Sequence, residues 1–271
     1  MSEIIEVSSE WLMLREQEDA RARSSELALA AADRLAPGPI VIHDLGSGTG
    51  SMMRWLAPHL PGPQTWVLHD WNANLVERAT NGVVPLDREG RPVSVRTRTG
   101  ELAHLAPDDL DGAALVTASA LLDVLTAREV RAVIDACVAV GCPVLLSLSV
   151  TGEVRLDPRD PRDDVLEASF NAHQQRRVSG RRLVGPSGVV LAQRLLLEAG
   201  WNVRPAATFW RLDHHDPRLL GQWFDGWAEA ALEQRADLHV EGAAYRELRS
   251  LQLRHGALSA AVVHTDLLAW P

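Results

Sequence analysis

Lysine is missing from this 271-residue chain, and all 27 basic residues are arginine. A chain without lysine forms no Schiff base, which removes pyridoxal-phosphate chemistry. It also has no Walker-type phosphate loop, whose lysine reaches the phosphates. Cysteine is nearly as scarce. Cys137 and Cys142 bracket Cys-Val-Ala-Val-Gly-Cys, a spacing that fits neither a zinc site nor a redox pair, so buried free thiols are expected. No apolar run approaches the ~20 residues that span a bilayer, and no N-terminal stretch joins a basic flank, an apolar core and a small-residue cleavage site. A cytoplasmic protein with no membrane partner is therefore expected. Positive charge is also in deficit: 36 acidic residues leave a net charge of −9. That balance disfavours nucleic acid as a partner, because affinity for its backbone comes mainly from neutralising phosphates.

What the chain does have is a hydrophobic content of 46%, enough to bury a full core as a single domain over 1–271. Its most informative stretch is Ile40-Val-Ile-His-Asp-Leu-Gly-Ser-Gly-Thr-Gly50. The apolar run ending in Asp44 reads as a buried parallel strand, and Gly46, Gly48 and Gly50 read as a sharp turn. Ser51-Met-Met-Arg-Trp-Leu-Ala then carries apolar residues at helical spacing. Glycines at such a junction permit positive φ and close approach of a ligand, and the helix start adds free N–H groups and partial positive charge. The pattern is that of a nucleotide-type pocket. It is not the dinucleotide fingerprint G-x-G-x-x-G, whose third glycine would fall at position 51, occupied here by Ser51.

Asp44-Leu-Gly-Ser-Gly-Thr-Gly50 instead resembles the first motif of class I S-adenosylmethionine-dependent methyltransferases, and further matches follow in the family's order. Thr65-Trp-Val-Leu-His-Asp70 is a second apolar strand closing on an acid. Thr99-Gly-Glu-Leu102 resembles the segment at the adenine edge, and Ala114-Leu-Val-Thr-Ala-Ser-Ala-Leu-Leu-Asp123 the fourth strand with its turn. The resemblance covers about residues 38–150 well. It implies a Rossmann-like α/β fold with a mostly parallel seven-stranded sheet (order 3-2-1-4-5-7-6) and S-adenosylmethionine as cofactor; the acceptor expected is a small molecule, methylated on oxygen or nitrogen. It also implies roles: Gly46, Ser47, Gly48 and Gly50 cradle the cofactor, and Asp70 takes its ribose hydroxyls. Glu101 and Leu102 meet adenine, and Ser119 faces the methionine part and methyl group. Asp44 orients the methionine ammonium or caps its own turn. Trp71 lies against adenine or packs on the surface. Asp123 serves the acceptor or caps the next helix. Alternative readings are an NAD(P) oxidoreductase on the same sheet, an RNA or protein methyltransferase, and a non-catalytic binding protein of this fold.

Along the chain, residues 8–35 read as one amphipathic helix, within an N-terminal helical cap over 1–37 that Pro37-Gly-Pro39 closes. Strand–helix alternation follows through 40–46, 51–60, 65–70, 73–80, 93–97, 114–118, 127–140 and 143–150, which gives a parallel sheet covered on both faces. Residues 151–186 break the rhythm and read as an embedded substrate cap. Helices are expected at 165–177, 187–199, 216–236 and 241–254, and strands at 201–212 and 258–270. The cap carries the acceptor-side candidates. His173 is the general-base candidate, since imidazole titrates near neutrality, although a lone His on a helix is often a satisfied structural residue. Asn171, Arg176 and Arg177 accompany it. With Arg181 and Arg182 the arginines suit a phosphate or carboxylate on the acceptor, or else pair with the acidic stretch 157–164. Arg15, Asp19 and Arg23 share one helix face, read as a solvated ion-pair ladder or as a reach toward the methionine carboxylate. His214-His215-Asp216 suggests a metal, but neighbours on an extended chain point apart, so none is expected. Trp210, Trp223, Trp227 and Trp270 stand out in a chain with three Phe and one Tyr. They read as core packing, an apolar acceptor pocket or a homodimer surface.

Overall fold

The computed structural model describes residues 7–271, so the first six residues of the expected 1–37 cap lie outside the described range. The chain opens with α1 (Ser9–Ala22) and α2 (Ser25–Ala32), then runs β1 (Ile40–Leu45), α3 (Ser51–Leu56), β2 (Gln64–Asp70), α4 (Ala73–Asn81) and β3 (Ser94–Thr99). There follow β4 (Ala113–Ser119), α5 (Ala127–Val140), β5 (Val144–Asp157) and α6 (Asp163–Gln174). A two-residue hairpin, β6 (Arg177–Val178) and β7 (Arg181–Arg182), leads to α7 (Gly188–Glu198) and β8 (Asn202–Leu212). The chain closes with α8 (Pro217–Gln234), α9 (His239–Arg254) and β9 (Ser259–Trp270).

Seven strands form one sheet in the order β3-β2-β1-β4-β5-β9-β8. Counting only its own strands, this is 3-2-1-4-5-7-6, the order the family resemblance implies. The pairs β2–β3, β1–β2, β1–β4 and β4–β5 are parallel, and β9 runs antiparallel to both β5 and β8. One apolar layer joins the sheet to α5 and α7 through Val130, Ile134, Leu195 and Leu196. A second joins it to α2 and α3 through Leu27, Met52, Met53 and Leu56. A third cluster binds α6, α8 and α9 to the distal ends of β5, β8 and β9 through Leu166, Phe224, Tyr245 and Val262. Both cysteines are buried and free, and burial raises both thiol pKa values, that of Cys142 to about 11. Among the described residues no helix is long and apolar enough to cross a membrane.

Two boundaries differ from the sequence expectation, each for a local reason. The single helix over 8–35 breaks at Arg23–Ser24. There the Ser24 hydroxyl caps α2 by accepting from Leu27 N (3.2 Å), while Ser24 N donates to Asp266 on β9 (2.9 Å). The strand expected to stop at 150 runs to Asp157, because β9 continues to pair with it beyond two register shifts. Residues 151–157 of the expected cap therefore belong to the sheet, and α6 is packed against α8. The start of α5 follows the sequence rule closely: Thr126 and Glu129 form a reciprocal capping box.

Candidate functional site

The turn after β1 is held by its own backbone. Ser47 N donates to His69 O (2.9 Å), Gly50 N to Ser47 O (2.8 Å), and Gly48 N to Asp70 Oδ2 (2.8 Å). Asn72 N donates to the other Asp70 oxygen (2.9 Å). Burial raises the Asp70 pKa, and those two N–H donors work against the rise. Gly46, Gly48 and Gly50 all have positive φ, and a Cβ on Gly46 would stand 2.7 Å from Leu121 Cδ1. Side chains there would fill the cradle.

A cavity of about 390 Å³ opens at this turn, at the carboxyl edge of the parallel strands. Asp44, Gly46, Ser47, Gly48, Asp70, Trp71, Glu101, Leu102, Ser119 and Asp123 all border it. Gly50 does not. It sits as the left-handed residue before α3, where a Cβ would meet Ala79 Cβ at 3.2 Å, so its part is to let the turn pack. Asp44 is buried and accepts from Thr117 Oγ1 (2.8 Å), while its Oδ2 has no partner among the described residues. Burial pushes its pKa up to about 7, opposed by the Thr117 bond and by the Arg23 charge.

The far end of the cavity is aromatic. Trp11, Phe170, Trp210, Trp223 and Trp227 line it. Trp223 and Trp227 stack with centroids 5.9 Å apart, and Trp11 meets Trp210 edge-on at 6.3 Å. His264 also lines this end, 5.7 Å from the Trp210 ring, and burial with the nearby Arg15 charge holds its pKa down to about 4. Two non-glycine residues with positive φ border the cavity as well, Ala120 (φ 50) and Leu148 (φ 53). Such backbone strain gathers at functional sites.

The sheet order, the glycine turn and the acid on the second strand now stand together. The fold is that of the class I S-adenosylmethionine-dependent methyltransferases. No protein-family model matches the chain, and no curated protein matches it in sequence. Solved structures do match. The YcgJ protein of Bacillus subtilis is 16% identical, with 90% of this chain and 95% of that one covered and a TM-score of 0.50. An O-methyltransferase family protein from Burkholderia thailandensis is 20% identical over 72% of this chain and 53% of its own, with a TM-score of 0.48; the chain thus spans about half that protein's length. A phosphoethanolamine N-methyltransferase from Haemonchus contortus, solved with phosphomonomethylethanolamine and S-adenosylhomocysteine, is 12% identical over 96% of this chain and 56% of its own, with a TM-score of 0.47.

Within this methyltransferase fold, four candidates besides Gly50 lie away from the cavity lining. Asn171 donates to Gly152 O (2.8 Å) and so ties α6 to β5. His173 is buried with Nε2 at 3.1 Å from Glu233 Oε2 and Nδ1 at 3.2 Å from Arg176 Nη1. Its ring is engaged on both sides, which leaves it without the access a general base needs. Arg176 turns back onto the His173 carbonyl (3.0 Å), and Arg177 is exposed on β6. This placement takes Arg176 and Arg177 from an anionic acceptor, whereas Arg181 of the same cluster borders the cavity. The cluster does not pair with the 157–164 stretch either: Arg181 makes two bonds to Glu129 (2.9 and 2.7 Å), whereas Asp160 takes Arg162 and Asp164 takes Arg159.

The largest correction concerns α1. Its ladder is not a solvated face, because Asp19 and Arg23 are buried and Trp11, Leu12, Arg15, Asp19 and Arg23 all border the cavity. Arg54 of α3 holds the helix there through Glu16 (2.6 and 2.7 Å), and Trp210 Nε1 through Asp19 Oδ1 (3.0 Å). Arg23 donates to Ser51 Oγ and Ser119 Oγ, both at 3.0 Å, while its Nε and Nη1 have no partner among the described residues. Trp11, standing four residues before Arg15, was the sequence signal that this face is covered. His264 and Phe170 carried no such signal. His214 and His215 do not point apart as expected, because residues 213–216 form a turn. Ligand-type atoms of Asp213, His214 and His215 lie within 4.8 Å of one another, drawn together by a 2.8 Å bond from His215 Nδ1 to Asp213 Oδ1.

Proposed function

We propose that this chain is an S-adenosylmethionine-dependent methyltransferase acting on a small molecule. The observation that carries the reading is the Gly48 N–H bonded to Asp70 at 2.8 Å, which locks the glycine turn to the acid at the rim of one cavity. When bound there, S-adenosylmethionine supplies an electrophilic methyl group on a sulfonium. The residues fit that molecule in three ways. Asp44 Oδ2 is a buried carboxylate oxygen without a partner, suited to the ammonium. Arg23, buried with two unpaired nitrogen positions, suits the carboxylate of the same amino-acid end. Asp70, with Trp71, Glu101 and Leu102 beside it, lines the stretch suited to ribose and adenine.

The chain's own contribution to such a transfer is placement. An in-line displacement is served by holding the reacting atoms about 3–3.5 Å apart and by excluding water. Helix α1 over the cavity and the aromatic far wall supply that enclosure. Calorimetry with S-adenosylhomocysteine tests the reading: one site per chain is expected, with affinity falling at least about tenfold in Asp70→Asn while circular dichroism shows the fold intact. Unchanged affinity in that variant would reject the site.

A further inference from the structure

We propose that the acceptor is a neutral, ring-bearing molecule with a hydroxyl group, its ring held among the cavity tryptophans and its hydroxyl donating to the His264 imidazole. The inference rests on the cofactor reading above, which assigns the turn end of the cavity and leaves the aromatic end for the acceptor.

Three observations carry it. First, the wall is formed of rings from four elements: Trp11 of α1, Phe170 of α6, Trp210 of β8, and Trp223 and Trp227 of α8. Ring faces and edges favour a flat apolar guest over a flexible polar one. Second, each arginine at the cavity already faces a carboxylate. Arg15 bonds Asp19 (2.9 Å) and lies over the Trp210 ring. Arg181 bonds both Glu129 oxygens through Nη2, with Nη1 unpartnered among the described residues. Arg23 serves two serines beside Asp19 and Asp44, and its unpartnered nitrogens belong to the cofactor end. A carboxylate or phosphate entering the aromatic end would lose its water without gaining a cation that lacks a carboxylate partner, an unfavourable transfer. Third, His264 is 4% exposed, and its Nδ1 has no hydrogen-bond partner among the described residues. A buried imidazole nitrogen left unpaired is costly and calls for a partner. Neutral imidazole has one nitrogen that accepts, which suits a hydroxyl donor.

The test uses the full chain saturated with S-adenosylhomocysteine and follows tryptophan fluorescence on titration with 2-naphthol, naphthalene, 2-naphthoate and 1-naphthylmethylammonium. Expected is 2-naphthol binding at least about tenfold tighter than the other three. In His264→Phe the advantage of 2-naphthol over naphthalene disappears while naphthalene binding is kept. Tighter binding of either ion overturns neutrality. An advantage that survives in His264→Phe overturns the role of His264. Absence of 2-naphthol binding to a protein that does bind S-adenosylhomocysteine overturns the acceptor class alone, whereas failure to bind S-adenosylhomocysteine overturns the cofactor reading and this one with it. The four wild-type titrations decide the class even if the variant does not fold.

Discussion

Around Asp44 and Asp70 the cavity wall is built from short turns that follow β1, β2, β3 and β4, with polar atoms fixed by backbone bonds such as Gly48 N to Asp70 and Ser47 N to His69. Around Trp210 and Trp227 the wall is assembled from α1, α6, α8, β8 and β9, elements drawn from both ends of the chain whose rings meet at the cavity. The first region depends on what its own residues permit in φ and in space. The second depends on whatever holds the surrounding helices in place. Damage should therefore separate: a change behind the aromatic wall should unsettle the fold yet spare cofactor binding, and a change in the turn should do the reverse.

The strongest support behind the aromatic wall is an ion pair. Arg249 of α9 is fully buried and bonds Asp163 at the start of α6, with Tyr245 donating to the same carboxylate (2.6 Å). Arg249→Met leaves that carboxylate buried without its cation, and such losses run about 3–5 kcal/mol. Urea denaturation should show a decrease of that size, while the affinity of the still-folded protein for S-adenosylhomocysteine changes by less than about threefold. A parallel collapse of affinity would mean the two regions are one unit.

The converse change is Gly46→Ala. With φ at +64 the new residue sits in the left-handed region, at a cost of about 1–2 kcal/mol. Its Cβ also meets Leu121 Cδ1 at 2.7 Å, a flexible side chain that can turn, though it turns within the cavity lining. The expected outcome is a smaller loss of stability than in Arg249→Met but a drop of at least about tenfold in S-adenosylhomocysteine affinity by calorimetry. Affinity within twofold of the parent would break the comparison from this side.

The same contrast explains what was legible in the sequence. The glycine turn, Asp44, Asp70, Glu101 and Ser119 are each read from a local pattern, because strand, turn and helix start lie within a dozen residues of one another. The sheet order came with the resemblance that these motifs carry. The aromatic end has no such pattern. Trp210 and His264 face each other because β8 and β9 pair antiparallel with Thr208 opposite His264, a register that neither strand's sequence discloses alone. The reading of Arg15, Asp19 and Arg23 as a solvated face failed for a similar reason. Helical spacing shows that residues share a face, but not that β8 brings Trp210 and the main chain at Arg211 against that face. His173 misled because chemistry alone selected it, whereas Glu233 of α8 and Arg176 occupy its nitrogens.

The smallest expected effect is also the most discriminating, because the two regions carry titrations of opposite sign. Asp44 has a pKa raised to about 7 in the fold, against about 3.9 when unfolded. Between those values the folded protein binds a proton that the unfolded chain does not, so this group's stabilisation is complete below about pH 4 and is lost as pH climbs through about 7. His264 has its pKa lowered to about 4, against about 6.5 unfolded. In that interval the unfolded chain holds the extra proton, so stability associated with His264 is lost as pH falls from about 6.5 toward about 4. The groups that set these values stay in place when either residue is replaced: Thr117, Arg23 and Asp70 around Asp44, and Arg15 and Asp19 around His264. Subtracting the parent's profile therefore isolates each titration. Asp44→Asn should make stability rise more steeply with pH between 5 and 6, and His264→Phe should make it rise less steeply. Each slope changes by less than about 1.4 kcal/mol per pH unit, the limit for one proton. Urea midpoints at pH 5, 5.5 and 6 measure both, and slopes that move in the same direction would show that the two residues do not sit in separately buried environments.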